Sequence, residues 1–227
     1  MTIAIVGRSA AQGKFGLGVL SHSPLLGGAQ VLARTEAGAV AVLGGLPKGS
    51  DALGLNLLHG GFTAAHALTV VAANAGSGGE PALAMIGLHG APAGAGGAKA
   101  GDADHLVISP AGDAAARACS AAFGERADDP LEMRLLAALE GALQVLGDAW
   151  ARGGSAALIV HGARAYSDVD VRADFDEAPL AQLRRIFDEQ HLVDLYFAER
   201  RRNPQSTEFA DEFIARIKRE RAQGSRA

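Results

Sequence analysis

The chain has 227 residues, 48% of them hydrophobic and 20% charged, enough for one folded core with an extension. Its net charge of −4 carries no nucleic-acid footprint. A single cysteine, Cys119, excludes an internal disulfide framework and any CxxC metal site. From the N-terminus, residues 2–7 and 14–21 carry β-branched and small apolar residues around a turn at Ser9–Gly13, which predicts two strands. The same stretch approaches a phosphate-binding loop but fails it. Gly7 and Gly13 stand one residue too far apart, and Phe15 follows Lys14 where Ser or Thr would hold Mg²⁺. The run "GAVAVLGG" at 38–45 predicts a third strand. Ser50 is the expected cap of a helix reaching about His59, and Thr63 caps a second helix reaching about Asn74. "PALAMIGLHG" at 81–90 reads as a strand, and the Gly/Ala stretch at 91–104 as a surface loop.

"HLVISP" follows as a short strand, and Asp113 opens a helix to about Phe123, with Cys119 expected as a small buried residue. The clearest signal is at 130–152. Pro130 is expected at the first helical position, and Leu135, Leu139, Ala142, Leu146 and Ala149 recur at helical spacing. Gly153-Gly154 would end that helix. "SAALIVHG" and "SDVDVRAD" predict a strand pair, and Pro179 opens a further helix, "LAQLRRIFDEQ". Residues 199–227 hold eight Lys/Arg against five Asp/Glu. Pro204 breaks the chain there, Ser206 or Thr207 caps, and Phe209, Phe213, Ile214 and Ile217 share one side of a C-terminal helix. Strand groups alternating with helix pairs predict antiparallel sheets covered by helices in a layered α+β domain. The expected domains are 1–197 and a helical extension at 198–227, and a homo-oligomer is the expected state. With no 18-residue apolar run and no signal-like N-terminus, a cytoplasmic protein without membrane contact is expected.

If the first two strands pair around their turn, Thr2 lies opposite Leu20 or Ser21, with His22 just beyond. Were Met1 removed, the α-amine of Thr2, of a kind whose unperturbed pKa is about 7.7–8.0, could take the proton of its own hydroxyl. That pairing of nucleophile and base is the chemistry of an N-terminal threonine hydrolase. Asp168, Asp170 and Arg172 share one face of a strand at period two. His59, His66, His89, His105, His161 and His191 show no metal-ligand spacing, so neither a metal nor a cofactor is expected.

Several stretches together resemble one known group. "MTIAIVGRSAAQGKFGLGVLSHS", "GAVAVLGG", "GLNLLHGGFTAAHAL", "DPLEMRLLAALEGAL" with "GGSAALIV", and "VDVRADFDEAPLAQLRRIF" are similar, in order and spacing, to the bacterial family catalogued as domain of unknown function 1028. The resemblance implies a four-layer αββα sandwich of the N-terminal-nucleophile hydrolase type. It implies amide hydrolysis by Thr2, with backbone N–H groups for the oxyanion; a small amide-type metabolite is the expected substrate, with Ser21 and His22 expected to assist. Gly44, after the third strand, is assigned with Asp170 and Arg172 to substrate binding. The chain departs from the family at His22, at Leu43-Gly44 and in the Gly/Ala stretch. These departures support the alternative, a non-catalytic protein of the same fold that binds a ligand or partner.

Overall fold

The computed structural model describes residues 2–23, 31–34, 36–75, 81–147, 150, 153–162, 168–205 and 207–224. Contacts divide the chain into two compact units, Met1–Leu183 and Arg184–Ala227.

The first unit is mixed α+β, with two antiparallel sheets. Strands β1 (Thr2–Ser9) and β2 (Lys14–Ser21) form the opening hairpin, in the register Thr2↔Ser21 to Ser9↔Lys14. The hairpin's turn closes through Gly13 at φ 61. Around it, β7 (Ala98–Asp102), β8 (His105–Ser109), β9 (Ser155–His161) and β10 (Val169–Ala173) complete a six-stranded sheet ordered β10-β9-β2-β1-β8-β7. The second sheet is ordered β3-β4-β5-β6, from Val31–Arg34, Gly38–Gly44, Ala82–Gly87 and Ala93–Ala95.

Period-two alternation decides what each face meets. Ala4, Val6, Leu17, Val19, Ile108 and Ile159 of the first sheet share a core with Val31, Ala33, Ala39, Ala41, Ala84 and Ile86 of the second. The other face of the second sheet, with Val40, Val42, Leu83 and Met85, packs against helices α1 (Ser50–His59) and α2 (Ala64–Ala72). The other face of the first sheet meets α3 (Asp113–Gly124) and α4 (Leu131–Leu146). Glycines let those helices come close. A Cβ on Gly16 would stand 2.8 Å from Leu135 Cδ1, and one on Gly18 would stand 3.2 Å from Leu139 Cδ1.

Several sequence expectations shift. Strand β3 was not anticipated, and the Gly/Ala stretch expected as a loop forms β6 and β7. Its composition lacks strand-forming side chains, but the site demands small ones: a Cβ on Gly94 would come 2.6 Å from Ile108 Cδ1 and 2.8 Å from Leu106 Cδ2. Helix α4 stops at Leu146, where Gly147 takes φ 73, and Pro130 is its cap rather than its first helical residue. Ala149 and Arg152, expected in that helix, lie outside the described residues, as do Met1 and Ser206. Gly49, not Ser50, caps α1, since the Ser50 hydroxyl donates to the Pro47 carbonyl at 2.7 Å. Thr63 caps α2 as expected, accepting from the His66 N–H at 3.3 Å.

Helix α5 (Pro179–Arg202) runs further than its sequence signal and crosses into the second unit. There α6 (Ala210–Gly224) follows. Within that unit Tyr196 meets Phe213 edge-on at 5.7 Å, and Arg216 is forked by Glu208 at 3.0 Å through both Nε and Nη2.

Candidate functional site

The antiparallel register brings three hydroxyl residues into one row across neighbouring strands: Thr2 pairs with Ser21, and Ser21 with Ser155. All three fall on the face that looks toward the second sheet, by alternation from Ala4, Val19 and Ala157. The Thr2 hydroxyl lies 2.7 Å from the Ser21 hydroxyl. Ser21 Oγ in turn accepts the Ser23 backbone N–H at 3.0 Å. Either hydroxyl can be the donor in the Thr2–Ser21 contact, since each has one proton and two lone pairs. Ser155, fully buried, donates to the Ser23 carbonyl at 2.7 Å. The turn beyond Ser21 is therefore tied from two sides. Gly154 makes the tie possible: at φ 112 its missing Cβ would sit 2.1 Å from the Ser21 carbonyl oxygen.

Ser155 was not among the residues singled out from the sequence. Its signal was the strand register itself, since placing "SAALIV" beside "FGLGVLS" puts the two serines opposite each other. Gly153-Gly154, read there as a helix stop, instead form the turn entering β9.

The remaining candidates lie elsewhere. His22 is exposed, and its ring meets Trp150 edge-on, with centroids 4.5 Å apart. Among the described residues no hydrogen bond joins His22 to Thr2. Gly44 sits where β4 slips register against β5, opposite Ala82, with nothing within 4 Å of where a Cβ would be. Because Gly87, at the other end of β5, receives Arg8 at 3.0 Å, Gly44 belongs to the Thr2 end of the molecule. Asp170 and Arg172 lie on the edge strand β10 and pair with each other at 3.2 Å. Three strand spacings, about 14 Å, separate β10 from β1. The Asp170 charge acts instead on His161. Burial lowers the pKa of that imidazole, and the carboxylates of Asp168 and Asp170 offset only part of the effect.

A second constellation has the connectivity of a serine triad. His105 Nδ1 lies 2.8 Å from Asp104 Oδ1, and His105 Nε2 lies 2.7 Å from Ser120 Oγ. Its setting is structural. Ser120 is inside α3, so its backbone N–H is spent on the helix and cannot serve an oxyanion. His105 is only 4% exposed. Arg134, stacked 3.9 Å over the Phe123 ring, donates to Asp104 Oδ2 at 2.8 Å. The network clamps β8 to α3 and α4. Burial raises the Asp104 pKa, but hydrogen bonds to His105 and Arg134, with their charges, outweigh it and hold the carboxyl below its usual range. Cys119 is fully buried beside this network, and burial pushes its thiol far up, so it is inert.

Among the described residues no group of three or more His, Cys, Asp or Glu could hold a metal ion, and no helix is long and apolar enough to cross a membrane. A family model described as "Family of unknown function (DUF1028)" matches residues 2–183. A crystal structure of a protein from Silicibacter pomeroyi, described under the same family model, is similar with a TM-score of 0.71 at 23% identity, over 83% of this chain and 88% of that one. At that identity the likeness speaks for the fold alone. No curated protein matches the chain.

Proposed function

We propose that this chain, which belongs to the DUF1028 family, is an N-terminal-nucleophile amidohydrolase acting on a small amide-type metabolite. The observation that carries the reading is the 2.7 Å contact between Thr2 Oγ1 and Ser21 Oγ at the end of β1. In this reading the order helix pair, sheet, sheet, helix pair is the four-layer αββα sandwich of that hydrolase type, and Met1 is removed after synthesis.

The chemistry follows from a threonine with a free amine. The neutral α-amine takes the Oγ1 proton as Oγ1 attacks the amide carbon. The resulting ammonium returns a proton to the leaving nitrogen as the C–N bond breaks, releasing the amine product and leaving an ester on Thr2. Water then attacks that ester, giving its proton to the α-amine, and the acid product leaves with Oγ1 reprotonated. Ser21 holds Oγ1 in position throughout, and its hydrogen bond favours the developing oxyanion of the nucleophile.

One observation favours a different reading. The His22 ring is engaged with Trp150, and among the described residues the partners of Thr2 Oγ1 and Ser21 Oγ are each other and the Ser23 backbone N–H. A non-catalytic, ligand-binding protein of the same fold would need nothing more. Mass spectrometry of the native N-terminus, followed by treatment with acylating electrophiles, decides between them. The hydrolase reading expects loss of Met1 and an adduct mapped to Thr2. Retained Met1 turns the Thr2 nitrogen into an amide without a basic lone pair and overturns it.

A further inference from the structure

At the opposite end of β1, six residues and about 20 Å from Thr2, a cavity of about 650 Å³ opens beside the β1–β2 turn. Arg8, Lys14, Phe15, Glu36, Leu88 and His89 are among the residues that line it. Its volume is that of a small-molecule site, and its charges are specific.

Lys14 is already engaged. Its ammonium lies 3.0 Å from Glu132 and 3.7 Å from Asp168, so it is not available to cradle a phosphate. Arg8 is different. Its guanidinium donates to the carbonyls of Gly87 at 3.0 Å, Leu88 at 3.4 Å and Ala103 at 2.9 Å. Those bonds fix the group in place, but carbonyls carry no net charge, and no carboxylate among the described residues lies within ion-pair distance of the guanidinium. Glu36, in the turn between β3 and β4, is the converse: among the described residues it makes no ion pair and no side-chain hydrogen bond. An anion in the cavity would satisfy Arg8 and be repelled by Glu36, and a cation would meet the reverse. A molecule carrying both charges satisfies both residues. Phe15, 6% exposed, and Leu88, 47% exposed, add an apolar wall.

We propose that this cavity binds a zwitterionic α-amino acid with an apolar side chain. Arg8 takes the carboxylate, Glu36 takes the ammonium, and Leu88 and Phe15 cover the side chain. The site is separate from Thr2 and does not depend on the hydrolase reading.

Calorimetric titration of the full chain with L-leucine and L-phenylalanine tests it, alongside their N-acetyl and carboxamide derivatives. At least one free amino acid should bind saturably at one site, and blocking either charged group should weaken it about tenfold or more. Glu36→Gln should weaken the free amino acid similarly while leaving the weak N-acetyl form unchanged. Arg8→Lys should do the same for the free form and spare the carboxamide. Melting curves accompany both variants. If Arg8→Lys unfolds the chain, the exposed Glu36→Gln decides alone. Absence of saturable binding by either amino acid overturns the proposal. So does binding that N-acetylation or Glu36→Gln leaves unchanged.

Discussion

At one end of the β1–β2 pair, Thr2, Ser21 and Ser155 form a row of uncharged hydroxyls closed over by a glycine turn. At the other end of the same eight-residue strands, Arg8 brings a cation to an open cavity that Glu36 also lines. A nucleophile whose base is its own amine gains from neutral surroundings. A carboxylate nearby would raise the amine's pKa and keep it protonated, and a cation would lower its basicity. Recognition of a charged ligand needs the reverse, fixed countercharges that are not neutralised by each other. One antiparallel register supplies both ends, because it fixes which residue types stand together at each.

Thr2→Ala breaks the comparison at its chemical end. It should abolish any amide turnover while leaving stability within about 1 kcal/mol, because a strand-end hydroxyl makes few core contacts. Amino-acid binding at the far cavity should be untouched. Turnover in the parent should rise with pH as the α-ammonium loses its proton, because only the neutral amine can act as the base. Undiminished turnover in the variant would move the nucleophile elsewhere.

Leu139→Ala tests what the two ends share. Leu139 is fully buried and rests on the bare backbone of Gly18, midway between them. The truncation should cost about 2–5 kcal/mol in denaturant melts and lower the stability of both ends together. A loss under about 0.5 kcal/mol would mean that α4 does not carry the sheet.

Much of this frame was legible in the sequence. The hairpin register, the strand pair β9–β10, the Thr63 cap and the buried stripe of α4 follow from periodicity and capping chemistry, which are local. Less legible was whatever depends on distant partners. Ile108 and Leu106 leave no room for a side chain at Gly94 of β6, and the His105 carbonyl leaves none at Gly101 of β7, and nothing within the segment itself says so. Ser155 joins the Thr2 row only through the pairing of β9 with β2, across 132 residues from Ser23. His22 follows Ser21 in sequence, yet its ring meets Trp150, 128 residues on. Arg8, between the expected strand and turn, was not singled out, because its role depends on carbonyls 79 and 95 residues away.

Asp104→Asn gives the smallest effect and sharpens how the cavity end is supported. The Asp104 carbonyl accepts the Arg8 backbone N–H at 2.9 Å, so the segment that anchors Arg8 is the one clamped by the Asp104 carboxylate to His105 and Arg134. Burial raises the pKa of that carboxyl, and its hydrogen bonds and neighbouring charges bring it below the usual range. A folded-state pKa below the unfolded value means that the ionised group stabilises the fold. That contribution is fully present above the unfolded pKa of about 3.9 and is lost as pH falls through the lower folded value. The Asp104 side chain is 41% exposed, so solvent screening keeps its share to about 1 kcal/mol or less. Urea melts of parent and variant should therefore differ by that amount at neutral pH, and the gap should close in acid once the parent carboxylate is protonated. A gap that persists unchanged in acid would assign the clamp to shape and neutral hydrogen bonding, and Arg8 would then owe its position to its three carbonyls rather than to the charge behind them.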